Sequence, residues 1–171
     1  MLHLSFFWGW QVLYSIGEKV LYPMHGAGII EAIEEKEILG EKQKYYILKI
    51  PISEMKLMVP VNTASEIGVR PVISDRDVPN VYQSIKECHD HLDPNWNKRY
   101  RENLQKIKTG DIIEVAKVVK SLTIREKGRS LSTCEKKMLT NAKQILISEL
   151  ALVTNNGKEQ VETTIDDLMV D

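Results

Sequence analysis

A chain of 171 residues, 43% hydrophobic and 27% charged, has the size and make-up of one ordinary globular domain or two small ones, which excludes a largely disordered protein. The formal net charge of −1 by itself indicates no special partner. Two widely separated cysteines, Cys88 and Cys134, exclude a disulfide framework and point to a reducing, cytoplasmic setting, and no stretch approaches the ~20 apolar residues of a membrane span.

The opening "MLHLSFFWGWQVL" is apolar and aromatic, lacks the basic region and cleavage site of a signal peptide, and joins no later pattern. Residues 1–14 are therefore expected to be an unsupported or disordered extension. Within it, residues 1–12 read as an upstream translation artefact, with a natural start near Val12 or Leu13. From 15 to 73 the pattern has period two. "KVLYP" leads into a glycine-containing turn at "MHGAG", "GIIEAIEEKEI" ends in a turn at "LGEK", and "MKLMVPV" is a further short strand. In "QKYYILKI", Tyr46, Leu48 and Ile50 fall on one face and Tyr45, Ile47 and Lys49 on the other. About five short strands with turns every ten residues or so predict a small, curled SH3- or Tudor-like β barrel.

Residues 74–171 change to a helical period, so the fold class is α+β with two domains, the second all-α. The first helix places Val78, Val81, Tyr82 and Ile85 on one face, with Asp77 before it to cap. In "DPNWNKRYRENLQKIK", Asp93 reads as the N-cap and Pro94 as the first helical residue, which puts Trp96 at N3. Ile112, Val115, Val119 and Leu122 share a side of the next helix, which Gly128 ends. The long helix opens with a capping box, Ser132 to Glu135, and carries Met138, Leu139, Ala142, Ile145, Leu146, Leu150 and Val153 as a core stripe. A turn at "NNG" precedes a short acidic helix.

The near-zero net charge conceals segregation. Residues 95–143 hold 13 Lys/Arg against 5 Asp/Glu, and residues 144–171 hold 1 against 6. A basic block of that density is the footprint of a polyanion-binding surface, although a solvated helical face gives the same count. Lys98, Arg99 and Arg101 lie in one helix, and Lys136 and Lys137 in the first turns of another, where free N–H groups also favour phosphate. No base-reading motif is present, so backbone contacts are expected. Enzymatic signals are absent: there is no phosphate-binding Gly-rich loop with Lys and Ser/Thr and no nucleophile–base pairing. "CHDH" at 88–91 lacks the fourth ligand of a structural zinc site, so neither a metal nor a cofactor is expected.

Trp96 admits two readings. Trp96, Tyr100, Leu104 and Ile107 have the spacing of a core stripe. Equally, an indole in the first turn of a basic helix is the kind of group that wedges into a minor groove.

From about Ile16 to Val153 the chain resembles the CarD/CdnL family of bacterial transcription regulators. The resemblance is carried by "GEKVLYPMHGAGIIEAIE", "YYILKIP", "VPVNTASEIGVRPV", "NWNKRYRENLQKIKTGDIIEVAKVV" and "LSTCEKKMLTNAKQILISELAL". It implies a monomeric, non-enzymatic regulator. The Tudor-like module would bind the protrusion lobe of the RNA polymerase β subunit. The helical domain would meet promoter DNA at the upstream edge of the melted bubble and stabilise the open complex. On this resemblance Trp96 is the minor-groove wedge, and Lys98, Arg99, Arg101, Lys136 and Lys137 are the phosphate contacts. Lys36, Ile38 and Met58 face the polymerase. Some relatives carry arginine where this chain has Lys36 and Met58; lysine keeps the charge without the bidentate fork, and methionine keeps neither. The sharp change of period near Ser74 further predicts that residues 15–73 fold alone as the β barrel and bind polymerase without the helices. An adaptor that binds no DNA is the alternative.

Overall fold

The computed structural model describes residues 14–89 and 92–170. Five strands come first: β1 (Lys19–Tyr22), β2 (Gly26–Ile38), β3 (Glu41–Ile50), β4 (Met55–Pro60) and β5 (Arg70–Pro71). They form one antiparallel sheet in the order β4-β3-β2-β1-β5. The connection from β4 to β5 is a 3-10 turn (Val61–Thr63) and one short helix, α1 (Ala64–Ile67). It must link the two outermost strands, which a flat sheet would hold about 19 Å apart. Yet one buried cluster takes in Val59 of β4 together with Val69, the residue before β5. The sheet is therefore curled, as the period-two pattern predicts, with β4 and β5 as its two edges.

The concave side holds Val20, Ile30, Tyr46, Leu48 and Val59, closed by Ala64 and Val69. Tyr14 also lies in this core. Its Oη donates to the Val69 carbonyl at 2.9 Å, and its N–H donates to Tyr46 Oη at 3.0 Å. The ordered fold thus includes Tyr14, which the sequence reading assigned to the extension; residues 1–13 lie outside the described residues. The β2–β3 hairpin closes through Leu39 and Gly40, both at positive φ (54° and 81°), the twist that suits a two-residue turn.

Five longer helices follow: α2 (Val78–Glu87), α3 (Trp96–Lys108), α4 (Ile112–Gly128), α5 (Thr133–Thr154) and α6 (Lys158–Leu168). Side-chain oxygens cap the starts of α3, α4 and α5. Asp111 Oδ1 accepts from the Ile113 N–H at 2.8 Å to start α4, and Ser132 and Glu135 form the predicted capping box on α5. Before α2, Asp77 instead accepts from the Ser74 N–H and hydroxyl, capping the 3-10 turn Asp75–Asp77. Asn155, at φ 55°, ends α5 in the predicted turn.

The sheet and the helices are not beads on a linker. Leu21 and Ala27 belong to the same buried cluster as Val115, Val119, Ile145 and Leu146. Ala27 donates its N–H to Ser148 Oγ of α5 at 2.8 Å, and Ser148 donates to the Ile145 carbonyl at 2.6 Å. Gly26 allows this approach: a Cβ there would sit 2.8 Å from Ser148 Oγ, on a backbone at φ 115°. The Arg70 guanidinium grips the fully buried Glu149 at 2.7 and 3.0 Å, and Glu149 also accepts from the Ile73 N–H. Lys19 Nζ donates to the Leu152 carbonyl at 2.7 Å.

Candidate nucleic-acid interface and outer sheet face

The start of α3 decides the fate of Trp96. Asp93 was the expected N-cap, but its Oδ1 accepts from the Asn95 N–H at 2.8 Å. Asn95 is the cap instead: it is extended, and its Oδ1 accepts from the Lys98 N–H at 3.1 Å. Helix α3 therefore begins at Trp96 rather than at Pro94, and its inward line is Arg99, Asn103 and Ile107, flanked by the partly buried Tyr100 and Leu104. Trp96 overhangs the core at 40% exposure. One face stacks on Tyr100, with centroids 5.5 Å apart and planes 21° apart, and Nε1 donates to Ser132 Oγ at 3.0 Å.

The five predicted DNA-facing cations divide. Arg99 is 2% exposed. Its Nε and Nη2 each lie 2.7 Å from Glu135 Oε1, and Nη1 donates to the Asp93 carbonyl at 2.7 Å. This corrects the reading of Arg99 as a phosphate contact: it lies on the inward line with Asn103 and Ile107, where Glu135 in the first turn of α5 meets it. Burial pushes the Glu135 carboxyl up, but Arg99 and the Ser132 hydrogen bonds outweigh it and hold it below the usual glutamate range. Lys98 is exposed but pairs with Asp93 at 2.8 Å, which raises the ammonium above its ordinary value and lowers the Asp93 carboxyl. Arg101 is exposed, with Nε donating to the Asn97 carbonyl at 3.3 Å. Lys136 and Lys137 are exposed in the first turns of α5, one turn beyond Ser132. A groove of about 270 Å³ between α3 and α5 brings Lys137 beside Tyr100, Leu104 and Met138. Trp96, Lys98, Arg101, Lys136 and Lys137 are thus each exposed in the first two turns of the neighbouring helices α3 and α5.

On the sheet, register rather than sequence distance groups the other candidates. An irregularity between Ile30 and Ala32 puts Ala32 opposite Ile47, which in turn faces Met58. Directly paired residues share a face. Ala32, Glu34, Lys36 and Ile38 of β2 therefore line the convex side with Tyr45 and Ile47 of β3 and Met58 of β4. Ile38 and Met58 are 43% and 44% exposed, and Lys36 pairs with Glu34 at 3.2 Å. The structure brings Lys36, Ile38 and Met58 onto one face.

Two members of the α3–α5 site escaped the sequence reading in these roles. Tyr100 read only as core, and Ser132 only as a cap. No local signal links Ser132 to a tryptophan 36 residues away. Among the described residues no group of three or more His, Cys, Asp or Glu could hold a metal ion, and no helix is long and apolar enough to cross a membrane. Asp90 and His91 of "CHDH" lie outside the described residues.

Residues 14–73 match the family model described as the CarD-like/TRCF RID domain, and residues 80–166 match that of the CarD C-terminal domain. The chain belongs to the CarD family. A Bacillus subtilis (strain 168) protein described as "Putative transcription factor YdeB" is 43% identical over 154 residues, 88% of this chain and 99% of that relative. The CarD assignment makes the chain a CarD-like transcription factor and not an enzyme. Its curled sheet is the RID part of the CarD architecture, and α2–α6 carry the CarD C-terminal part.

Proposed function

We propose that this CarD-family protein binds the protrusion lobe of the RNA polymerase β subunit through the convex face of its sheet. From there it holds promoter DNA at the upstream edge of the bubble, stabilising the open complex. Lys36, Ile38 and Met58 make the polymerase contact. Trp96 enters the minor groove as the wedge, and Lys98, Arg101, Lys136 and Lys137 hold the flanking phosphates. These cations give salt-sensitive affinity without a sequence code. Arg99 supports the wedge from inside and touches no phosphate.

One observation carries this reading. A tryptophan with the spacing of a core residue is held 40% exposed beside exposed cations, its polar N–H turned onto the protein. An apolar edge facing outward is what unstacking a base step requires.

The test pairs Trp96→Ala with a pull-down on polymerase with and without the β protrusion. The variant should lose about 1–3 kcal/mol of stability, the worth of one aromatic pair and one hydrogen bond, against about 3–5 kcal/mol for a buried aromatic. Polymerase capture should persist while the open complex decays faster. A folded variant with an unaltered open-complex lifetime would remove the wedge, and an absence of DNA affinity at every salt concentration would favour a plain adaptor.

A further inference from the structure

The indole of Trp96 does not hang freely. Its N–H donates to Ser132 Oγ at 3.0 Å. The same hydroxyl accepts from the Glu135 N–H at 3.2 Å and lies 3.0 Å from Glu135 Oε2. Glu135 Oε1 in turn takes the buried Arg99, which leaves α3 only one turn after Trp96. Tyr100 covers one face of the ring. The ring is thus fixed at two points, its polar end and one face, and the rest is left to solvent. A serine hydroxyl offers two lone pairs and one proton, so Ser132 can cap α5 and hold the indole at once. An alanine there would start the helix poorly and leave the indole held by its stacking on Tyr100 without the pin at its polar end.

We propose that Ser132 is a positioning residue for the wedge: it pins the indole N–H to the cap of α5, so that the apolar edge of Trp96 is presented to DNA before DNA arrives. The inference rests on the reading of Trp96 as the DNA-facing group and adds a residue that itself need not touch DNA. Pre-orientation removes an ordering cost that the complex otherwise bears on binding. For one large side chain that cost corresponds to about a 2- to 10-fold change in equilibrium. The direction is fixed: loss of the pin shortens the open-complex lifetime.

The experiment is a double-mutant cycle on the full chain, read by open-complex lifetime with purified polymerase. Trp96→Phe keeps an apolar ring but has no N–H to donate. Ser132→Ala should shorten the lifetime about 2- to 10-fold in the wild-type background and have no further effect in the Trp96→Phe background. Ser132→Thr, which keeps both cap and acceptor, should restore it. Ser132→Gly loses little capping but has no hydroxyl, and should behave as Ser132→Ala. A second readout needs no polymerase. The Trp96 indole Nε1–H resonance, assigned by its disappearance in Trp96→Phe, should exchange faster with solvent in Ser132→Ala and Ser132→Gly and return to normal in Ser132→Thr.

An equal shortening by Ser132→Ala in both backgrounds would reduce Ser132 to a helix cap and overturn the proposal. So would a longer lifetime in Ser132→Ala, which would mean that the hydroxyl parks the indole away from DNA. If Trp96→Ala shortens the lifetime but Ser132→Ala and Ser132→Gly do not, the wedge stands and the pin falls. If Trp96→Ala has no effect, the wedge falls first and the pin with it.

Discussion

Arg99 and Arg101 are two residues apart and chemically identical, yet the helix sends one inward and one outward. Arg99→Ala takes from the buried Glu135 its nearest cation, leaving Arg125 at 4.0 Å and the Ser132 hydrogen bonds, and should cost up to about 3–5 kcal/mol in chemical denaturation. Arg101→Ala should leave stability within about 0.5 kcal/mol and should flatten the salt dependence of DNA binding. Comparing denaturation midpoints and salt slopes for the pair separates a structural cation from a phosphate contact. Glu135 adds a pH signature. Its carboxyl in the folded protein lies below the ordinary 4.5, so its contribution is complete above that value and drains away as pH falls through the lower, folded one. Stability followed from pH 7 downward should fall below about 4.5 in the wild type. Glu135→Gln should be weaker at neutral pH and flatter below. The sequence could not separate the two arginines. Any helix points them about 200° apart; which of the two turns inward is set by Glu135 of α5, 36 residues from Arg99, and no local signal gives that.

Helix α5 illustrates what periodicity does and does not carry. Met138, Leu139, Ala142, Ile145, Leu146, Leu150 and Val153 are buried as their spacing predicts. Ile147, Ser148, Glu149 and Ala151 are buried as well, because β2, α4 and α6 pack around the same helix. A serine and a glutamate on the far side of an apolar stripe look like a solvated face until the sheet is placed over them. The strands were legible in the same partial way. Alternation gives Tyr46 and Leu48 their inward direction, but the irregularity at Ile30/Ala32 that sets the outer row of Lys36, Ile38 and Met58 has no sequence mark. Ser148→Ala tests the hidden side of α5. It would strand the buried Ala27 N–H and should cost about 1–3 kcal/mol, read from a urea midpoint, far more than a surface serine.

At the scale of the whole molecule, the sheet module has a core of its own and also buries surface against the helices. A fragment of residues 14–73 would uncover Leu21 and Ala27 and separate Arg70 from Glu149. It should therefore melt well below the full chain, and adding residues 74–171 as a separate polypeptide should raise its melting temperature. The change of period near Ser74 is a true change of secondary structure, and the sheet keeps a core of its own, but Leu21 and Ala27 join the helical core across that boundary. That shared core sets how the two proposed contacts cooperate. Because the Ala27–Ser148 and Arg70–Glu149 bonds tie the sheet to α5, and α5 carries Ser132 beneath Trp96, the convex sheet face and the Trp96 edge are joined through packed structure. Once the first surface is bound, the second is presented at a high effective concentration and has little tumbling freedom left to lose. A DNA contact built from four exposed cations on a chain of net charge −1 can then be weak on its own and still hold. On the proposed reading the same stiffness would limit its reach, so that relative to polymerase the protein would touch DNA at one address, as a caliper with its jaws locked measures a single length.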